Sequence, residues 1–217
     1  MAREDSPDES PWSPIHHPWF SRGYPWTERA LERAVGSARR AQNQQAVGRT
    51  LVIGAGTGLD IPVLGEGVTD WVLLEPDATM RQILRRRYPA AEILSDRAEA
   101  ISLPDASCDT VLTSLVLCSV GDVQRTLTEV ARILVPEGQY LFLEHVANPH
   151  RGASLVQHGI EPLWRRLGGG CRLTRDVQAA VTESPLVLVA CESVRTGGLL
   201  PVIRGRAVKN AGGPGER

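Results

Sequence analysis

The sequence contains 217 residues, and 42% of them are hydrophobic, so the chain can bury one sizeable core and its length allows one or two domains. Its 24 basic and 25 acidic residues give a net charge of −1, which excludes a strong overall field that would gather nucleic acid or an anionic membrane surface. A small neutral partner fits this balance better. The 4 cysteines form no C-x-x-C pair, which argues against a structural zinc site and against a disulfide-stapled secreted domain. We therefore expect a reducing, cytoplasmic compartment.

The first dozen residues are acidic and rich in serine and proline, and they lack the basic flank and apolar run of a signal peptide. No stretch reaches the roughly 18 apolar residues that a membrane-spanning helix needs, so we expect no membrane partner. We expect residues 1–24 to form a flexible N-terminal segment that can act as a lid. Residues 25–209 should form a single domain, and residues 210–217 a disordered tail.

Apolar residues spaced by three and four predict a first helix from Pro25 to Ala46, with Thr27 as its N-cap. Five short apolar runs then alternate with helical segments, and Asp77 and Asp122 are placed to cap two of those helices. The predicted strands are Arg49–Ile53, Trp71–Leu74, Glu92–Ser95, Asp109–Ser114 and Tyr140–Leu143. Because strands that alternate with helices are joined by right-handed crossovers, this order favours a parallel sheet.

The last third of the chain has a different pattern. Helical segments are predicted near Ala153–Leu167 and Thr174–Val181, and two β-rich runs follow, Leu186–Ser193 and Val202–Val208. These two runs can pair as an antiparallel end of the sheet. The fold class that we expect is therefore α/β.

A glycine-rich turn follows the first predicted strand, with Gly54, Gly56 and Gly58 in a G-x-G-x-G pattern around Ala55. Glycines at such a turn let backbone N–H groups approach a ligand, because no side chain blocks the approach. A dinucleotide fingerprint needs a third glycine where Leu59 stands, so the pattern suits the methionine part of S-adenosylmethionine better. The alternative is a tight turn that binds no ligand.

An acidic residue, Glu75, ends the second predicted strand, where its carboxylate can accept both ribose hydroxyls of an adenosyl group. The alternative is a solvated carboxylate at a strand end. Met80 lies one turn into the next helix and could cover an adenine ring, although methionine at helical spacing is often part of the core.

Seven short motifs follow one another along the chain in an order that is typical of one enzyme family. They are Leu51–Gly58, Glu75–Asp77, Ala98-Glu99, Leu103–Asp105, Cys108–Val111, Glu129–Leu134 and Pro136–Gly138. With them the chain resembles the class I methyltransferases from about residue 49 to residue 145. The resemblance implies a three-layer Rossmann-like fold with a mostly parallel seven-stranded sheet and an antiparallel last strand. It also implies S-adenosyl-L-methionine as cofactor and S-adenosyl-L-homocysteine as product. The implied cofactor-binding residues are Gly54, Ala55, Gly56, Gly58, Glu75, Pro76, Met80, Arg97, Ala98, Ser114 and Leu115.

Two departures accompany this resemblance. Many members place an acid just before the alanine that matches Ala98, to accept from the adenine amino group, and this chain has Arg97 there. Asp96 or Glu99 could take that role. The second departure is Glu137, which stands where the family usually has the first glycine of a Pro-Gly-Gly turn.

Further segments resemble a narrower group, the methyltransferase-like thiol S-methyltransferases. They are Leu115–Val120, Glu144–Val146, Pro162–Trp164, Gly170–Arg175 and Gly205–Lys209. This resemblance implies a small alkyl or aryl thiol as the methyl acceptor. Members often carry a membrane-anchoring first segment that this sequence lacks, and related bacterial-type enzymes have varied acceptors, so O- or N-methylation stays open as an alternative.

The candidate general base is His145, because it follows the fifth strand, and ligands gather outside the carboxyl ends of a parallel sheet. A nearby carboxylate such as Glu144 could orient its ring, although successive strand residues face opposite ways. The alternative is a structural histidine. We expect aromatic and thiol side chains to line the acceptor pocket, namely Phe20, Tyr24, Cys118, Trp164 and Cys171. The alternative is that these side chains only pack in the core. We expect no metal site, because the cysteines are widely spaced and form no C-x-x-C pair.

Other functions fit the sequence less well. The basic clusters Arg39-Arg40 and Arg85–Arg87 could indicate an RNA methyltransferase, but each lies on a helix with an apolar face, where a solvated charged face is the usual explanation. A nicotinamide-dependent oxidoreductase is disfavoured by Leu59. A non-catalytic protein that binds the cofactor and acts as a partner stays open, as does the oligomeric state.

Overall fold

The computed structural model describes residues 18–167, 170–196 and 200–210, so most of the expected N-terminal segment and of the expected tail lies outside these ranges. Within them the helices are α1 (Pro18–Asn43), α2 (Ala78–Arg87), α3 (Val123–Ile133), α4 (Arg151–Leu167) and α5 (Val177–Thr182). The strands are β1 (Gly48–Ile53), β2 (Val68–Leu74), β3 (Glu92–Leu94), β4 (Cys108–Ser114), β5 (Leu134–His145), β6 (Leu186–Val194) and β7 (Val202–Lys209). No described helix is both long and apolar enough to cross a membrane.

All seven strands form one sheet in the order β3-β2-β1-β4-β5-β7-β6. The first five strands are mutually parallel, and β7 runs antiparallel to both β5 and β6. The predicted fold, a mostly parallel sheet with an antiparallel last strand, is therefore confirmed. The register aligns Ile53 with Leu74 and Thr113, which brings the carboxyl ends of β1, β2 and β4 to one edge of the sheet.

Apolar side chains cover both faces of the sheet. On one face, the α3 residues Leu127 and Val130 pack in the same core cluster as Val111 and Phe142, and the α5 residue Val181 joins them. On the other face, Leu84 of α2 packs with residues of β1, β2, β4 and β5. Strands buried on both faces read as continuous apolar runs, which explains the pattern that predicted them.

The first helix differs from its prediction. It begins at Pro18 rather than Pro25 and ends at Asn43, so Thr27 lies inside the helix and is not its N-cap. Once the turns of α1 that pack on β5 and β7 have formed, further residues add hydrogen bonds without a new nucleation cost, although Pro25 itself lacks an N–H and adds none. The helix can therefore extend through Pro25, where the sequence indicated a boundary.

The other predicted boundaries need smaller changes. β5 already begins at Leu134, so the Pro136–Gly138 segment, expected as a turn before the strand, lies within it as an irregularity in the pairing with β4. Helix α5 begins at Val177 instead of Thr174, because the Asp176 side chain accepts from Ala179 N and caps the helix there. The caps predicted at Asp77 and Asp122 are confirmed.

Candidate functional site

The glycine-rich turn after β1 uses its three glycines in different ways. Gly54, Gly56 and Gly58 all have positive φ, at 64°, 55° and 88°. A Cβ on Gly54 would lie 2.5 Å from Val116 Cγ2, and one on Gly58 would lie 2.5 Å from Tyr88 Cε2. A Cβ on Gly56 would meet nothing closer than Gly54 O at 3.9 Å. The outer glycines are therefore required by packing, and Gly56 faces open space of the kind a bound cofactor would use.

The carboxylate of Glu75 lies against this turn. Glu75 Oε2 accepts from Gly56 N at 2.8 Å, and Oε1 accepts from Asp77 N at 2.8 Å. The residue is buried, and burial raises the pKa of its carboxyl group. Because each carboxylate oxygen has two lone pairs, both oxygens can still accept a further hydrogen bond. The position therefore fits a diol such as a ribose.

The residues after Glu75 are held in place by local hydrogen bonds. Asp77 accepts from Thr79 N and Met80 N at the start of α2. The Arg81 guanidinium donates to Glu75 O at 2.8 Å. Met80 is buried, and Pro76 lies partly exposed between the two acidic residues. The segment Glu75–Asp77 is thus a rigid edge beside the glycine turn.

The loop after β3 shows how the departure at Arg97 is accommodated. Ala98 is buried, and the Arg97 guanidinium lies 3.6 Å from Glu99 Oε2. Glu99 also accepts from Gly121 N at 2.7 Å, while Asp96 accepts from Ser102 N at 2.7 Å. Both acids that could replace the family's adenine-binding acid are engaged in loop contacts, which leaves the Ala98 backbone as the candidate adenine contact.

A buried aspartate that the sequence analysis missed connects three elements around the turn. Asp60 Oδ1 accepts from Arg39 Nη1 at 2.8 Å, from Asn43 Nδ2 at 2.8 Å and from Ser114 Oγ at 2.7 Å. Arg39 was expected to lie on a solvated face, but it is only 2% exposed, so that expectation is wrong. The i, i+4 spacing of Arg39 and Asn43 next to a glycine turn ending in Asp60 is the signal that could have found this cluster.

Helix α1 also contacts the turn directly. Thr57 Oγ1 donates to Glu28 Oε1 at 2.7 Å, and Gln42 Nε2 donates to Thr113 O at 3.3 Å. The helix therefore covers the carboxyl ends of the central strands. Phe20 and Tyr24, expected in the acceptor pocket, lie on α1, but their side chains are outside the described part of the structure.

The turn after β4 is strained and tightly held. Leu115 has φ of +61°, a region that disfavours residues with a side chain, and Leu115 N donates to Leu143 O at 2.7 Å. That backbone bond and the burial of the neighbouring Leu117 hold the turn against the end of β5. Glu144, fully buried on β5, braces the same turn, because its Oε1 accepts from Val116 N at 3.1 Å. Burial raises the pKa of Glu144 to about 7, and the backbone N–H groups of the turn oppose that rise.

The candidate base His145 lies beside the Cys171 thiol. It is 6% exposed, and neither of its ring nitrogens makes a hydrogen bond of ordinary geometry with the described residues. Glu144 does not orient its ring, so that hypothesis is wrong; the carboxylate is turned toward the Val116 backbone instead. The Cys171 thiol interacts with the side chains of Cys118, His145 and Trp164, and these interactions lower its pKa, with Cys118 as the largest cause. The structure thus brings together four of the residues that were expected at the acceptor end of the site.

The segment that carries Cys171 is fixed by hydrogen bonds on both sides. Arg172 N donates to Cys118 O at 2.8 Å, and the Arg175 guanidinium donates to Leu117 O and Val120 O. Glu161 of α4 accepts from Thr174 N at 2.9 Å. The sequence gives no role to Glu161 or to the Arg175 side chain, because their contacts join segments that are separated along the chain.

No group of three or more His, Cys, Asp or Glu side chains in the described ranges could hold a metal ion. This edge of the sheet carries a cradle beside Gly56 and Glu75, and a thiol, Cys171, beside His145. The polar edge of the first could hold an adenosyl group, and the second could take a small acceptor.

Comparisons with known proteins agree with this geometry. The family described as "Methyltransferase domain" matches residues 51–142. Thiol S-methyltransferase TMT1B of Homo sapiens is 34% identical over 134 residues, which cover 58% of this chain and 54% of that protein. TMT1B of Rattus norvegicus is 40% identical over 91 residues, which cover 42% of this chain and 37% of that protein. The chain thus spans about half or less of the length of these curated relatives.

Solved structures support the same fold. A SAM-dependent methyltransferase of Thermotoga maritima, described as a possible histamine N-methyltransferase, superposes with a TM-score of 0.67 at 20% identity. The match covers 90% of this chain and 100% of that one. The chain thus has the Rossmann-like fold of the SAM-dependent methyltransferases, its residues 51–142 match the methyltransferase-domain family, and it resembles the thiol S-methyltransferases TMT1A and TMT1B in sequence.

Proposed function

We propose that the protein transfers the methyl group of S-adenosylmethionine to a small thiol, producing a methyl thioether and S-adenosylhomocysteine. The observation that carries the proposal is the buried His145 at the carboxyl end of β5, whose ring nitrogens are not taken up by the fold, at the same sheet edge as the Gly56 and Glu75 cradle. The named relatives that act on thiols support the choice of acceptor. O- or N-methylation of a small molecule is the alternative outcome of the test.

The cradle supports the cofactor part of this proposal. Gly56 leaves open space at the turn, and Glu75 is fixed with spare lone pairs toward a ribose. Ser114, at the end of β4, is tied to Asp60. The proposal keeps the other candidate cofactor contacts, which follow the ends of the parallel strands in the sequence. They are Ala55, Pro76, Met80, Ala98 and Leu115. When bound, S-adenosylmethionine supplies a methyl group on a sulfonium centre, and a nucleophile can displace it directly.

The residues around His145 support the acceptor part. In an in-line displacement, the protein contributes alignment, exclusion of water and removal of a proton from the acceptor. A thiol has a reference pKa of about 8.5, so a few per cent of it is already thiolate at neutral pH, whereas a phenol near 10 needs more help. In this proposal the His145 imidazole takes the thiol proton. Arg97, whose guanidinium lies 3.6 Å from Glu99 Oε2, belongs to the cofactor part of this proposal and not to the acceptor part.

The arrangement of the basic side chains favours a small-molecule acceptor over RNA. The Arg39 guanidinium is buried against Asp60, and Arg132 is bound to Glu129 and Asp105. Both guanidinium groups are paired with carboxylates, so neither is free to bind a phosphate. We also propose a cytoplasmic location, and a lid role for residues 1–24, which the Glu28–Thr57 hydrogen bond next to that segment supports.

The experiment is a product assay with thiols, phenols and amines as acceptors, each at the same concentration, with S-adenosylmethionine as the donor. The matched variants are Gly56→Val, which should block the cradle, and Gly159→Ala, where a Cβ meets nothing within 4 Å. We expect methyl thioethers from thiols with the parent and with Gly159→Ala, and about 100-fold less with Gly56→Val. Turnover of phenols or amines alone would replace the thiol proposal. No turnover with any acceptor, despite cofactor binding, would favour a non-catalytic partner.

A further inference from the structure

Two free cysteines from distant parts of the sequence meet at the acceptor end of the site. Cys118 lies on the turn after β4, and Cys171 lies on the segment between α4 and α5. The backbone brings the two residues together, because Arg172 N, next to Cys171, donates to Cys118 O at 2.8 Å, and each thiol shifts the pKa of the other. The Arg175 guanidinium ties the same two segments together through Val120 O at 2.9 Å.

The two thiols differ in exposure and in charge state. Cys118 is 2% exposed, and its pKa is raised by its hydrogen bond with Cys171 and by burial. Cys171 is half-buried, and Cys118, His145 and Trp164 favour its thiolate by lowering its pKa. Since the thiolate is the nucleophilic form, Cys171 is the attacking member of the pair and Cys118 is its neighbour with a proton.

The other two cysteines have no such arrangement. Cys108 is buried at the start of β4, where its sulfur lies 4.0 Å from Ser107 Oγ. Cys191 lies on β6, and its thiol donates to Gln178 Oε1 at 3.7 Å. They provide controls that share the residue type without the paired geometry.

We propose that Cys118 and Cys171 form a dithiol site that reacts with small-molecule disulfides. The site goes beyond the proposed methyl transfer, because it needs neither S-adenosylmethionine nor a methyl acceptor. Its ligand class is the organic disulfide, RSSR, and its products are two thiols and a Cys118–Cys171 disulfide.

The reaction proceeds in two displacements at sulfur. The Cys171 thiolate attacks one sulfur of RSSR, so that a Cys171–S–S–R bond forms, the original S–S bond breaks and RS⁻ leaves. This RS⁻ then takes the proton of Cys118, and the Cys118 sulfur attacks Sγ of Cys171. The second RS⁻ leaves and takes a proton from water. The two cysteines are oxidised by two electrons in total, and RSSR is reduced to two RSH.

The first displacement prepares the second. The largest cause of the raised pKa of Cys118 is its hydrogen bond with Cys171. Once Cys171 carries the mixed disulfide, it no longer holds a negative charge beside Cys118, so the Cys118 proton leaves more easily. The pair therefore behaves as an attacking thiolate followed by a resolving thiol.

Oxidised glutathione is the probe for this site. The full chain is incubated with it in the absence of S-adenosylmethionine, free thiols are alkylated after acid quenching, and peptides are mapped by mass spectrometry. We expect a Cys118–Cys171 cross-link to form at least about ten-fold faster than an adduct on Cys191, and dithiothreitol to reverse it. Cys191→Ser should keep the cross-link.

Two variants separate the steps. Cys118→Ser should stop the reaction at a stable glutathione adduct on Cys171, while Cys171→Ser should leave Cys118 unmodified. Circular dichroism verifies that each variant is folded. The proposal would be overturned if glutathione reacted with Cys191 before Cys171. It would also be overturned if the parent formed no Cys118–Cys171 cross-link while the alkylating reagent still modified Cys171, which shows that the thiol is accessible. Methyl transfer is assayed separately on the same protein, so loss of one activity does not decide the other.

Discussion

The buried carboxyl group of Glu144 predicts a pH-dependent stability that can be measured. Burial raises its pKa from 4.5 to about 7, and the side chain is fully buried on β5. Between these two pH values the folded chain holds a proton that the unfolded chain has released, so the free energy of unfolding falls as the pH rises. The destabilisation is absent below the unfolded pKa of 4.5 and complete above about pH 7.

The magnitude follows from the same rise. Each pKa unit corresponds to about 1.4 kcal/mol, so the full effect is about 3 kcal/mol. Glu144→Gln removes the titrating group and keeps the volume and an oxygen that can accept from Val116 N. The parent should therefore lose about 3 kcal/mol relative to this variant between about pH 4.5 and about pH 8.

Urea unfolding at several pH values and constant ionic strength measures this difference. Glu66→Gln is the control, because Glu66 is exposed and its carboxylate stays hydrated. A difference between the parent and Glu144→Gln that stays constant over the same pH range, or that grows in favour of the parent, would contradict the assignment of a protonated carboxyl group to the folded chain.

Three further predictions concern other parts of the site. Asp60→Ala should lower the free energy of unfolding by about 2–4 kcal/mol, because three hydrogen bonds are lost around a buried guanidinium; a loss under about 1 kcal/mol in thermal unfolding would contradict this. Glu137→Gly should raise the free energy of unfolding by about 0.5–1 kcal/mol, since residue 137 has φ of +62°, and calorimetry that shows the same result for Glu137→Ala would argue against relief of backbone strain. His145→Ala should lower thiol methylation by about 100-fold at neutral pH and less at high pH, and an equal loss at every pH would indicate a structural role instead.

The central sheet could be predicted from the sequence because its strands are buried on both faces. Leu51, Val52 and Ile53 are all at most 1% exposed, so a short apolar run before a glycine turn had few other interpretations. The acidic caps Asp77 and Asp122 could be predicted too, since a carboxylate just before a helix accepts backbone N–H groups of its first turn.

Long-range polar contacts could not be predicted in the same way. Arg39 follows the pattern of a surface cation, and only its partner Asp60, brought near by the glycine turn, explains why it is buried. Glu144 and His145 are adjacent in sequence, yet their side chains serve different neighbours, because alternate strand residues point to opposite sides. The contact between Cys118 and Cys171 depends on how the segment after α4 returns to the sheet.

The proposed methyl transfer can be followed directly with S-adenosylmethionine that carries a trideuterated methyl group and with a small aryl thiol as acceptor. We expect a thioether that carries the heavy methyl on sulfur, together with an equal amount of S-adenosylhomocysteine, both detected by mass spectrometry. Formation of S-adenosylhomocysteine with the heavy methyl on oxygen or nitrogen acceptors only would contradict the thiol assignment, and failure to form it with any acceptor would contradict methyl transfer itself.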